Sequence, residues 1–277
     1  MRIRRIGNVT ILAELGQGAH SHVFQVHREA DGRVYALKIV SINQKRDQKY
    51  LMQARHEYRI GRMLDHPNLV KVYSLETEGG WFSGPTKVKL LIEFAPGVPL
   101  NQISPLPIAR LLRVFERIAD AVDHMHMQGV IHADLKPSNL ILGRDSQVKV
   151  IDYGLAWVKG EPKDRVQGTP EYMAPETVAH KLVNEQTDIY NFGATLYRLV
   201  TRQFPPLVTP GLPLTRKAFA RLFHPVEEFA PETPVEFRDL IHQCLSFDPH
   251  CRPATAREVQ VVLNRLASLH ADTADQL

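Results

Sequence analysis

The chain has 277 residues, 44% apolar and 23% charged, enough for a sizeable core and unlike a disordered or fibrous chain. Its formal net charge of +4 is spread along the sequence with no polybasic block, so a solvated surface is expected and no nucleic-acid site. Two cysteines, Cys244 and Cys251, are too few for a disulfide framework and are expected to stay reduced, as in a cytoplasmic protein. No run of about 18 apolar residues suggests a membrane span. The basic start at residues 1–6 lacks the apolar stretch of a signal peptide.

The first third reads as strands. Residues 10–15, 22–28 and 34–39 are short runs rich in Val, Ile and Leu. Gly16-Gln17-Gly18 breaks the first pair, and Asp31-Gly32 gives the second a hairpin signal. Residues 48–64 are charged and free of proline, which predicts a helix, stopped by His66-Pro67-Asn68. Strands are expected at 69–75 and 87–94, with a polar loop at 77–86 between them. Ala95-Pro96-Gly97-Val98-Pro99 reads as a hinge, and helices dominate beyond it. Residues 108–127 carry an apolar stripe through Leu111, Leu112, Phe115, Ile118, Ala119 and Val122. Further helices are predicted at 185–201, 215–223, 235–244 and 256–269, and the tail at 271–277 is expected to fray.

Several short motifs carry chemistry. Gly16 and Gly18 lie between two predicted strands, where glycine lets backbone N–H groups approach phosphates; as a lone motif it is more often a plain turn. Because a strand and not a helix follows, a dinucleotide-binding fold is disfavoured. Lys38, in Tyr35-Ala36-Leu37-Lys38, stands in an apolar strand and needs an anion unless it faces water; Glu57 on the next helix is a suitable partner. His132-Ala133-Asp134-Leu135-Lys136-Pro137-Ser138-Asn139 is the most informative segment. Its carboxylate can orient and deprotonate a hydroxyl, its lysine can offset charge on a transferring group, and its amide oxygen can bind Mg²⁺. A short strand follows, then Asp152-Tyr153-Gly154, whose aspartate is a second oxygen ligand for the metal.

This ordered set resembles the eukaryotic-type Ser/Thr protein kinase catalytic domain over nearly the whole chain, from about residue 9 to 269. The resemblance implies an α+β, bilobal fold. A small antiparallel N-lobe with one main helix would span about 9–93, a hinge 93–97, and a larger helical C-lobe about 98–270. Gly168-Thr169-Pro170-Glu171-Tyr172-Met173-Ala174-Pro175-Glu176 matches the end of the family's activation segment. That match argues against small-molecule phosphotransferases. Glu176 would pair with Arg252, and Asp188 would cap the catalytic-loop backbone. ATP together with Mg²⁺, or Mn²⁺ in the metal's place, is the implied cofactor. Lys38 and Glu57 would serve the phosphates beneath Gly16 and Gly18, and Asn139 and Asp152 the metal. Val23, Ala36 and Ile141 would sandwich adenine, Glu93 and Ala95 would bond its edge, and Ile92 would be the gatekeeper. Asp134, Lys136 and Thr169 would be catalytic, the threonine hydroxyl bridging the other two. Lys136 and Thr169 favour Ser/Thr acceptors on protein substrates.

The departures from the family pattern matter as much. Ala133 stands where the family usually has arginine, and residues 155–168 contain no Ser, Thr or Tyr. Neither a phosphate nor its receptor is present, so activity independent of segment phosphorylation is expected. Ser21 replaces the third glycine, and Ser138 replaces the glutamate common in basophilic kinases. Gly61 replaces a large apolar residue normally stacked on the D-F-G aromatic, in a column with Val72 and His132. Such a glycine is expected to leave a hole filled by Tyr153, water or a neighbour such as Met63. A mobile Glu57 helix, ordered by a regulatory partner, is one reading. A pseudokinase is the rival class, opposed by the presence of Lys38, Asp134, Asn139 and Asp152. The short segment and the His-Ala-Asp variant point toward a bacterial source.

Overall fold

A computed structural model of the chain describes residues 5–18, 20–44, 47–80, 84–162, 167–207 and 215–270. The chain divides into two compact units, one of Met1–Pro96 with Asp152–Gly154, the other of Gly97–Ile151 with Leu155–Leu277.

The first unit holds β1 (Arg5–Ile6), β2 (Val9–Gln17), β3 (Ser21–Arg28), β4 (Arg33–Ser41), α1 (Gln48–Met63), β5 (Val72–Gly80) and β6 (Gly84–Glu93). The strands form one sheet in the order β1-β2-β3-β4-β6-β5, every pairing antiparallel. The turn between β3 and β4 needs Gly32, at φ +67°. Asp31 locks it, accepting from Arg33 N at 3.2 Å and Tyr35 Oη at 2.6 Å and pairing with Arg28. Val9, Val26, Tyr35, Leu37 and Leu91 form a buried cluster in the sheet. The buried face of α1 is Leu51, Ala54, Glu57, Ile60 and Gly61, the spacing of one helical stripe.

The loop expected at 77–86 is instead mostly strand, with residues 81–83 outside the described set. Its polarity misled, because this hairpin is exposed and is knitted by opposite charges. Glu76 faces Lys89, Glu78 faces Lys87, and Lys89 pairs diagonally with Glu78. Conversely, β5 begins at Val72, so Leu69 and Val70 precede it.

The second unit comprises β7 (Val98–Pro99), α2 (Ile108–Met127), β8 (Val130–Ile131), β9 (Leu140–Leu142), β10 (Val148–Val150), β11 (Trp157–Val158), α3 (Pro175–His180), α4 (Glu185–Thr201), α5 (Arg216–Leu222), α6 (Val235–Cys244) and α7 (Ala256–Leu269). Gly97 opens it at φ +154°; a Cβ there would sit 2.6 Å from the Leu142 carbonyl carbon, so no other residue fits the turn. Asn184 caps α4 by accepting from Gln186 N and Thr187 N, with Thr187 reciprocating in a capping box. Eleven consecutive residues of α4, Thr187 to Tyr197, are buried, which makes it the central helix of its unit. Phe192 meets Phe115 of α2 edge-on at 5.2 Å between centroids. Helix α3 was not expected, being too short for a periodic signal. The predicted tail at 271–277 lies outside the described residues. The α+β class holds: an antiparallel sheet with one long helix in the first unit, helices in the second.

Candidate active site

In the first unit, β4 carries Lys38 inward between Val23 of β3 and Leu90 of β6. Its Nζ donates to Glu57 Oε2 at 2.7 Å and stands 3.5 Å from Asp152 Oδ1. Burial works to lower the lysine, but the two carboxylates outweigh it and raise it above its ordinary value. Burial pushes the Glu57 carboxyl up, with Lys38 countering it. The geometry is that of a closed ion pair. Asp152 has φ +69°, a left-handed conformation held in the turn, and its Oδ1 accepts from Gly154 N at 3.2 Å. Tyr153 is fully buried and donates its hydroxyl to the Val70 carbonyl at 2.9 Å. Burial raises its phenol above the ordinary range.

The space expected at Gly61 is filled, by Tyr153 as one reading had it and above all by Val72. A Cβ built there would lie 2.6 Å from Val72 Cβ and 3.6 Å from Tyr153 Cδ2. Val72 and Tyr153 already occupy the space, and Met63 is 37% exposed. Gly61 lets α1 approach β5 more closely than any side chain would allow.

Gly18 N donates to Ser21 O at 2.7 Å, closing the turn between β2 and β3, while Ala19 lies outside the described residues. Among the described residues nothing lies within 4 Å of where a Gly16 Cβ would be. His20 stacks on Tyr50 of α1 at 4.2 Å. Ala36 faces Ile92 across β4 and β6. The Glu93 N–H is taken by the Lys71 carbonyl at 2.8 Å, so Glu93 would offer an adenine edge its carbonyl.

In the second unit, Asp134, Lys136 and Thr169 form a closed set. Lys136 Nζ donates to Asp134 Oδ2 and to Thr169 Oγ1, both at 2.6 Å. Thr169 donates to Asp134 Oδ1 from its hydroxyl at 2.8 Å and from its N–H at 3.0 Å. Asn139 Nδ2 donates to the Asp134 carbonyl at 2.9 Å. Ile141 sits in β9, half-buried.

The loop bearing Asp134 is itself clamped. Asp188 is fully buried and accepts from His132 N at 2.8 Å and Ala133 N at 2.7 Å, with His126 Nε2 at 2.9 Å. Burial pushes its carboxyl up, but these partners prevail and hold it below the ordinary carboxylate value. Ala133 takes φ +62° within this clamp. Glu176 and Arg252 meet in a bidentate pair at 2.8 Å, both buried, and Arg252 also donates to Gln186 O at 2.7 Å.

Sequence reasoning missed two groups. His126 gives no signal in the sequence, lying 62 positions from Asp188. The surroundings of Ala133 are the second: it is buried with Ile131 and Val183, with Trp157 packed against them.

The first unit thus holds a lysine–glutamate pair with an aspartate turn beside it, and the second an Asp-Lys-Thr set on a clamped loop. The family model described as "Protein kinase domain" matches residues 9–262, and this chain belongs to that family. It is 25% identical over 262 residues to the serine/threonine-protein kinase PrkC of Bacillus subtilis, covering 92% of this chain and 40% of that protein. It is 28% identical over 259 residues to Aurora kinase C of Mus musculus, covering 91% and 90% respectively. It is 29% identical over 276 residues to a probable serine/threonine-protein kinase of Streptomyces coelicolor, again spanning 40% of that protein. The chain thus spans about two fifths of its two bacterial relatives. Kinases of this family use ATP and a divalent metal. Among the described residues no group of three or more His, Cys, Asp or Glu gathers as a metal centre. The Asp152 carboxylate in the first unit and the Asn139 amide in the second each carry a hard oxygen of the kind that Mg²⁺ takes. No helix among the described residues is long and apolar enough to cross a membrane.

Proposed function

We propose that this domain transfers the γ-phosphoryl group of ATP to Ser or Thr hydroxyls of proteins, with Mg²⁺ held by Asn139 and Asp152. The Asp134–Lys136–Thr169 set carries this reading. Asp134 orients the acceptor hydroxyl and takes its proton late. Lys136 offsets charge on the transferring group, and Thr169 fixes the two relative to each other. Lys38, held by Glu57, binds the α- and β-phosphates under Gly16 and Gly18. Val23, Ala36 and Ile141 enclose the adenine, and backbone groups of Glu93 and Ala95 bond its edge. The metal supplies charge neutralisation on the phosphates, while the chain supplies position.

The test is phosphoryl transfer from labelled ATP with Mg²⁺ to a basic protein such as histone. Asp134→Asn should cut turnover by about a thousandfold and leave ATP affinity within a few-fold. Near-normal turnover in that variant refutes the assignment. ATP binding without transfer by the unmodified domain favours a pseudokinase instead.

The same reading includes activity without activation-segment phosphorylation. Its support is what surrounds Ala133: an apolar cluster with Trp157 occupies the place where a phosphate receptor would be needed. The segment is further tied by β11 pairing with β8, by Lys159 N to Gly129 O at 2.8 Å, and by Trp157 Nε1 to Glu161 O at 2.9 Å. Phosphatase treatment of the purified domain should leave its turnover unchanged. A regulatory partner belongs on the outer face of α1, where Met52, Arg55, Arg59 and Arg62 are exposed, a surface suited to an acidic segment. A cytoplasmic location accords with the free cysteines.

A further inference from the structure

We propose that Gly61 and Tyr153 form a clasp that holds the Lys38–Glu57–Asp152 set assembled before any ligand or partner arrives. The inference rests on the roles given above to those three residues.

Two independent contacts close the clasp. The first is steric. Gly61 follows Glu57 by one turn on the same buried face of α1, and Val72 of β5 lies directly against its α-carbon. Any Cβ at position 61 would have to push the helix off the strand, and Glu57 would leave Lys38 with it. The second is polar. The Tyr153 hydroxyl bonds the Val70 carbonyl, two residues before Val72, in a fully buried setting. Phenylalanine, usual at this position in the family, could not make that bond. It anchors the turn whose preceding residue, Asp152, is in a left-handed conformation that needs support. One strand entrance, residues 70–72, therefore fixes both the helix bearing Glu57 and the turn bearing Asp152. Gly61 and Tyr153 touch neither substrate nor metal; they are positioning residues.

The experiment compares the unmodified domain with Tyr153→Phe, Gly61→Ala, Gly61→Ala/Val72→Gly and Lys38→Met. Amide hydrogen exchange without nucleotide is read at α1, at residues 152–154 and at α4. Turnover is then titrated with Mg²⁺ at fixed ATP. Tyr153→Phe should speed exchange in α1 and the turn about tenfold, leave α4 unchanged, and raise the Mg²⁺ needed for half-maximal turnover three- to tenfold. Gly61→Ala should do the same through α1 and lower turnover, and removing the Val72 Cβ in the double variant should recover at least half of the lost turnover. Unaltered local exchange, or a Mg²⁺ requirement within twofold of the unmodified domain, in Tyr153→Phe overturns the clasp. So does a lowered melting temperature with both readings unchanged, which marks plain packing. Lys38→Met separates the two levels. If it abolishes transfer while Tyr153→Phe is silent, only the clasp falls; if it retains transfer, the site assignment falls and the clasp with it.

Discussion

Thr169 shows how one side chain ties two others together. Its hydroxyl has one proton and spends it on Asp134, leaving its lone pairs for Lys136. Thr169→Val keeps the shape and removes both bonds. Turnover should then fall about 10- to 100-fold, with ATP affinity little changed, as a KM and kcat measurement would show. Thr169→Glu should fail to activate; a rise in turnover would mean that this position is a phosphorylation switch. At Gly61 a larger side chain meets no free space. An enlarging Gly61→Leu would seem to fill a hole, but the space belongs to Val72. The change should destabilise by about 1–3 kcal/mol or more, visible in urea titration.

Among the elements, the loop bearing Asp134 and the segment beginning at Leu155 are each held by packing and hydrogen bonds within the second unit. Asp188 holds the loop, and its carboxyl sits below its ordinary value. Its contribution is therefore fully present at neutral pH and is lost only as pH falls through that depressed folded value. The stability cost of Asp188→Asn, measured by chemical denaturation, should be largest near pH 7 and shrink toward strong acid. Trp157 holds the segment. Trp157→Ala should lower turnover several-fold and cost about 3–5 kcal/mol at most, since the indole is only partly buried. Ala133→Arg should not restore a regulated enzyme. It would drive a charge into an apolar cluster and lower the melting temperature.

Across the whole molecule, what could be read from the sequence was what is local. The helices at 108–127, 185–201, 235–244 and 256–269 start and stop where periodicity places them. Pairs joined by a family pattern, Glu176 with Arg252 and Lys38 with Glu57, also meet. The misses share a cause. Whether Gly61 leaves a void, what surrounds Ala133 and what steadies Asp188 all depend on residues far away in the chain. No periodicity reports such contacts. The hairpin of β5 and β6 failed for another reason: its stability is cross-strand charge pairing, which looks like loop when each strand is read alone. The buried Arg252 shows the energetic side of long-range contacts. Arg252→Met leaves Glu176 uncompensated and should cost about 3–5 kcal/mol, lowering the melting temperature on the order of 10 °C in calorimetry.

The Tyr153–Val70 hydrogen bond also bears on pharmacology. An inhibitor that gains its affinity by occupying the space under α1 must first evict the Tyr153 ring. In a relative with phenylalanine there, eviction exposes only an apolar ring. Here it also strands a buried carbonyl, at about 1–3 kcal/mol, so such compounds should bind this domain roughly 5- to 150-fold more weakly. Compounds that fill only the adenine position would meet no such penalty. The ratio of the two inhibitor types, compared between the domain and Tyr153→Phe, should shift toward the ring-evicting class when the hydroxyl is removed.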